Sequence, residues 1–335
     1  MKYSIFSLLL LIAACTSSKV PTTTEQSGVI FTNPLFTSGA DPWITFVEGA
    51  YYYCYSRGGA LHVKTAKNIL DLRTAEAMQI WQPPADTKYS KELWAPELHK
   101  IEGRWYVYFA ADDGDNANHR MYVLGSKDGS IGSGFEFLGQ VGDASDKWAI
   151  DGTVFTHGGK SYFMWSGWKG DVNEAQHLYI AEMASPTEIS SERVLVSSPD
   201  QDWEQRGSGN GLPTINEGPQ VLKKNGRLYI VYSASGSWSN FYCLGLLRLD
   251  GVDPMDPAAW TKHPEPVFEG TDCVLSPGHC SFTTIGDQDW IVYHVTGFPG
   301  GGWNSRYVKM QPFYWNEAGP LFGKPVEDGV LLEIR

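Results

Sequence analysis

NGRLYIVYSA, residues 225–234, reads as a tight turn followed by a strand rich in aromatic and β-branched residues. Asn and Gly supply the positive φ of a two-residue hairpin loop, and the alternating Leu, Ile, Val and Tyr suit a pleated strand. The same unit recurs as EGAYYYCYS at 48–56, EGRWYVYFA at 102–110, GGKSYFMWSG at 158–167 and, more loosely, GDQDWIVYH at 286–294. The turn glycines Gly49, Gly103, Gly159, Gly226 and Gly286 are spaced by 54, 56, 67 and 60 residues. Each interval has room for about four short strands and shows no long helical periodicity. Five such units predict an all-β fold, a five-bladed β-propeller with sheets packed around a central channel. A β-sandwich is the competing all-β arrangement.

In each unit the residues before the turn glycine should form the innermost strand, which begins near one mouth of the channel. Asp41 and Asp151 each stand eight residues before their glycine, Glu217 nine, His279 seven and Glu97 six. Taken singly, an Asp-Pro or a Glu-Gly-Pro is ordinarily a bend. Their recurrence in near register with a five-fold repeat predicts ionisable groups converging on one rim. There they should repel one another and separate their pKa values, as a general acid and a general base require. Trp43 and Trp94 flank rim residues and are either ligand platforms or packing between blades. Trp168, Trp238 and Trp303 lie in long loops, where they can shape outer subsites. The loop Phe298-Pro299-Gly300-Gly301-Gly302-Trp303 is placed to cover a cleft and, with no helix after it, is not a phosphate cradle.

The chain has 335 residues and a formal net charge of −12, which argues against a nucleic-acid partner, since that needs a basic face. An apolar fraction of 42% is enough for a folded core. Residues 1–14 carry one Lys and a short apolar run, fitting a secretory signal, and Ile12-Ala13-Ala14-Cys15 resembles a bacterial lipobox. That resemblance implies cleavage before Cys15, lipidation of its thiol, and export to a bacterial membrane. Polar residues 15–28 would be a flexible tether and residues 29–335 the propeller. Cys54, Cys243, Cys273 and Cys280 show no zinc spacing, and their pairing is left open.

These motifs together resemble glycoside hydrolase family 43. The matching segments are NPLFTSGADPWI at 33–44, ELWAPELH at 92–99, IDGTVF at 150–155, NEGPQVLKKNGRLYIVYSAS at 216–235, SPGHCSF at 276–282, RYVKMQPFYW at 306–315 and FGKPV at 322–326. The resemblance implies an inverting glycosidase acting on arabinose- or xylose-containing polysaccharide. Asp41 would be the general base, Glu217 the general acid and Asp151 the carboxylate that tunes the acid. Trp43, Trp94, Glu97 and Arg306 would bind substrate, with Glu97 alternatively bonding only to a neighbouring blade. His279 would hold a structural Ca2+ or Na+ ion mainly through water. Cys280 departs from the Asn of many relatives. With no further β-sandwich after the fifth unit, an exo-acting α-L-arabinofuranosidase is expected first. β-Xylosidase, endo-arabinanase and a galactan- or galactofuranose-directed enzyme are the alternatives. The invertase-type propeller is discounted, because Ala40-Asp41-Pro42-Trp43 and Glu217-Gly218 do not match its motifs. A surface glycan-binding propeller should have lost a carboxylate, and all three are present.

Overall fold

The computed structural model describes residues 28–334; the signal-like run, Cys15 and all but the last residue of the tether lie outside the described residues. Five antiparallel sheets follow one another along the chain. Blade 1 comprises Trp43–Val47, Ala50–Arg57, Ala60–Ala66 and Met78–Trp81, and blade 2 comprises Lys91–Ile101, Arg104–Asp112, Arg120–Ser126 and Phe135–Gln140. Blade 3 is built from Ala149–His157, Lys160–Gly167, Ala175–Ser185 and Val194–Ser197, and blade 4 from Thr214–Lys224, Arg227–Ala234, Cys243–Leu249 and Trp260–Lys262. Blade 5 has Leu275–Ile285, Gln288–Thr296 and Arg306–Pro312. The first strand of each blade packs against the first strands of both neighbours, and blade 5 packs against blade 1, so the ring closes.

Closure uses the N-terminal segment. Leu35 and Phe36 donate to Val308 O, Val308 N donates to Phe36 O, and Gly39 N donates to Arg306 O, which makes this segment the outer edge of blade 5. Asn33 extends the pairing through its side chain, accepting from Met310 N and donating to Met310 O, both at 2.9 Å. Val29–Thr32 also pairs antiparallel with Leu331–Ile334.

The hairpins follow from local chemistry. Glu48-Gly49, Glu102-Gly103, Gly158-Gly159 and Asn225-Gly226 all have positive φ at both loop residues, the type I′ pattern. In Gly286-Asp287 only Gly286 is positive, which fits type II′. The alternation in the second strands is not inside against outside. In blade 4, Leu228, Ile230, Tyr232 and Ala234 enter the core shared with blade 3, while Tyr229 and Val231 enter the core shared with blade 5. Both faces are therefore buried. The apolar side chains form five clusters, one between each pair of adjacent blades. Burying a large side chain contributes about 1.5–3 kcal/mol, so these five seams hold the ring together.

One backbone feature sets the channel mouth. Each blade has a positive-φ residue at one equivalent position, in its first strand or, for Asp41, two residues before it: Asp41, Ala95, Asp151, Gly218 and His279. Each stands eight residues before the second loop residue, Gly49, Gly103, Gly159, Gly226 and Asp287 respectively. In blades 2 to 5 the register shifts at this point as well. The five-fold equivalence therefore belongs to this backbone kink. It corrects the side-chain register: Glu217 lies one residue before its kink and Glu97 two residues after.

Candidate active site

The kinks of blades 1, 3 and 5 bring the Asp41, Asp151 and His279 side chains to a single mouth. Asp41 Oδ1 lies 3.2 Å from His279 Nδ1, 3.4 Å from His294 Nδ1 and 3.5 Å from Arg306 Nη1. Asp151 Oδ2 is 3.9 Å from the same His279 nitrogen and accepts the Gly218 N–H at 3.0 Å. Blades 1, 3, 4 and 5 thus meet around His279. Gly218 is required here, because a Cβ on it would stand 3.2 Å from His279 Nδ1 at a φ of 55°. Glu217, the residue before it, accepts from Tyr242 Oη at 2.8 Å and from Ser237.

The electrostatics drive the carboxyls apart. Burial pushes Asp41 up, but His279, His294 and Arg306 outweigh it and hold the carboxyl well below the usual range. Burial pushes both imidazoles down, His294 to about 3. With both neutral at pH 7, the standing positive charge on Asp41 is Arg306. Glu217 behaves oppositely. Burial raises it, and the charge of Asp41 adds to this against the pull of Tyr242, Arg306 and Ser237, leaving it at about 7. Asp151 is also pushed up, by burial and then by Glu217 and Asp41. Glu217 and Asp151 therefore keep a proton between them near neutrality, while Asp41 stays charged.

The remaining sequence candidates divide. Arg306 stands in the mouth, donates to Ser237 O at 3.2 Å and has a buried Nε without a protein partner among the described residues. Trp94, one residue before its kink as Glu217 is, stacks on His119 with ring centroids 4.0 Å apart. Buried His119 in turn meets Asp112 at 3.0 Å. Trp43 takes the packing alternative: its Nε1 donates to Leu98 O and its ring packs into the core between blades 1 and 2. It lines a cavity of about 980 Å³ at the hairpin end of the channel, away from the carboxyls. Glu97 likewise lies below the rim, accepting from Gln220 of blade 4 and paired with His99 at 2.8 Å. It braces blades across the channel, the alternative of bonding to another blade.

Four functional neighbours escape the sequence reading: His294, Tyr242, Ser237 and Ser233, whose Oγ accepts from His279 N at 2.8 Å. His294 did carry a signal. The equivalent residues of the other second strands are Ser56, Ala110, Ser166 and Ser233, so an imidazole there is an intrusion. Among the described residues no three His, Cys, Asp or Glu side chains converge as metal ligands. His279 turns Nδ1 toward two carboxyls, which leaves Nε2 as its one nitrogen for an ion. The residues thus fit only an ion held largely by water.

A closed ring of five blades, with an ionised carboxylate opposed to a protonatable one at a single mouth, defines a propeller carrying an acid–base hydrolase site. The model of glycosyl hydrolases family 43 matches residues 31–321. The chain belongs to this family. It is 36% identical over 330 residues to an extracellular exo-α-(1→5)-L-arabinofuranosidase of Streptomyces avermitilis, covering 92% of this chain and 66% of that relative, just under two thirds of its length. It is 34% identical to α-L-arabinofuranosidase 43 of Humicola insolens, over 98% of this chain and 70% of the relative. The crystal structure of an α-L-arabinofuranosidase from Lactobacillus brevis superposes with a TM-score of 0.82 at 33% identity, covering 90% of this chain and 98% of that one.

Proposed function

We propose that the protein is an exported, exo-acting, inverting α-L-arabinofuranosidase that trims arabinose-containing polysaccharide fragments. The observation that carries this reading is the opposed charge state of two carboxyls at one mouth, Asp41 ionised and Glu217 raised to about 7. In an inverting hydrolysis Asp41 takes a proton from water as the water attacks the anomeric carbon. Glu217 gives its proton to the departing glycosidic oxygen on the other face of the ring. Asp151 accepts the Gly218 N–H and so fixes the backbone beside the acid, and Arg306 both stabilises Asp41 and offers N–H groups to sugar hydroxyls. Trp94 offers a ring face to the sugar. The arabinofuranosidase relatives favour this sugar, and the extracellular location of the Streptomyces avermitilis relative agrees with the signal-like N-terminus. Lipidation at Cys15, and an ion beside His279 that would stiffen the axial imidazole, belong to the same reading.

Initial rates on aryl α-L-arabinofuranosides and aryl β-D-xylopyranosides, using residues 29–335, test it. Glu217→Gln should lower kcat by about 10²–10⁴-fold on a poor leaving group and far less on an activated one, because only the former needs the acid. Asp41→Ala should abolish turnover of both. A preference for the xyloside would overturn the substrate. An unchanged rate in Glu217→Gln would overturn the assignment of the acid.

A further inference from the structure

Trp303 leaves 60% of its surface in water, yet it is not loose. Its Nε1 donates to Ser237 Oγ at 3.1 Å, and its ring meets Trp238 edge to face at 6.2 Å. Trp238 is itself fixed through Nε1 to Gly207 O at 2.8 Å. The glycine-rich loop that carries Trp303 is tied to blade 4 by Gly300 N, which donates to Asn240 Oδ1 at 3.1 Å. Gly302 has a φ of 50°, which favours glycine, and packs against Trp238, where a Cβ would stand in ordinary contact, 3.4 Å from the carbonyl oxygen. Phe298 and Phe241, 60% and 50% exposed, belong to the same two loops. An exposed indole held in one orientation presents apolar area whose ordering entropy is already spent. That is the property of a binding surface rather than of a stray surface residue.

Its neighbours say which part of a ligand it meets. Ser237 is the shared contact: it bonds to Trp303 through Oγ, to Glu217, and to Arg306 through its carbonyl oxygen. The ring therefore stands one residue from the proton donor. The acid of an inverting glycosidase sits on the side of the departing group, with the attacking water on the opposite face.

We infer that Trp303, with Trp238 behind it, is the platform for the leaving-group sugar, and that it sets the preference for oligosaccharides over substrates with a minimal aglycone. This rests on the reading of Glu217 as the acid. The C–H face of the departing ring packs on the indole while its glycosidic oxygen is held near Glu217, so the ring acts on the part of the substrate beyond the cleaved bond.

The test compares two substrates that share the reacting sugar. In α-1,5-linked arabinotriose the leaving group is a sugar chain; in α-L-arabinofuranosyl fluoride it is a single atom that cannot reach the ring. Trp303→Ala should lower kcat/KM on the triose by about tenfold or more through KM, with less than about a twofold change on the fluoride. Trp303→Phe, which keeps a ring but loses the N–H, should retain most of the triose activity. Equal losses on both substrates would overturn the platform, because the ring would then act by steadying Glu217 through Ser237. No loss on either would overturn it too, as would Trp303→Phe failing as completely as Trp303→Ala. If the wild type cleaves neither substrate, the proposed function fails and the platform falls with it, whereas the other failures leave that function standing.

Discussion

Glu217 sits where negative charge is unfavourable, and its proton links activity to stability. Its carboxyl holds the proton up to about pH 7 in the folded protein, whereas an ordinary Glu loses it near 4.3. The folded state thus binds more protons between these values, and the stability from this residue, complete below about pH 4, is lost as the pH rises through about 7. Two outcomes follow. Turnover should fall on the alkaline side with an apparent pKa near 7, as the acid deprotonates. Glu217→Gln should unfold at a higher temperature than wild type at pH 8, by up to roughly 3 kcal/mol of added stability, and about equally at pH 4.5; thermal melts at the two pH values check this. The acidic residues were legible in the sequence because a carboxyl in a repeat is conspicuous. Tyr242 and Ser237 were not, since they lie in a loop between strands and only the folded chain brings them to Glu217.

At the scale of elements, the hairpins were legible and the register of the mouth was not. Turn glycines announce themselves because few other residues accept their φ. The kinks do not, because Ala95 occupies one and Gly218 another, so counting polar residues misaligned Glu217 by one position and Glu97 by two, while His279 was off by one only because its turn was counted from Gly286. The closing edge was likewise invisible as a strand, since Asn33 replaces backbone pairing with its side-chain amide. Asn33→Ala removes both bonds and leaves the buried amide and carbonyl of Met310 without them. It should destabilise the ring by about 2 kcal/mol or more, read as a lower denaturation midpoint in urea with the slope unchanged.

The whole molecule is five similar apolar seams closed into a ring, with no disulfide among the described residues. Cys54, Cys243 and Cys280 are buried in it and Cys273 is exposed, which answers the pairing left open by the sequence. Thiol titration of residues 29–335 at pH 8 should find one reactive group before unfolding and four after. That one group should react more slowly than free cysteine, because Glu327 raises its pKa. A reductant should leave the melting temperature unchanged. Five blades were countable in the sequence because each repeats one hairpin. The function was less so, because what distinguishes the blades is the few residues that each turns toward the axis.

The kinks also make the mouth a set of interchangeable sockets. Asp41, Asp151 and His279 fill three of them with working groups, and the Gly218 socket stays empty to admit His279. Ala95 fills the fifth with a methyl group, at a φ of 40° that Asn or Asp tolerates better than Ala does. The propeller therefore holds one unused position, already aimed by its backbone, where a new polar group would be conformationally easier than the residue it replaces. A ring of this kind can change its chemistry one socket at a time without rebuilding a blade.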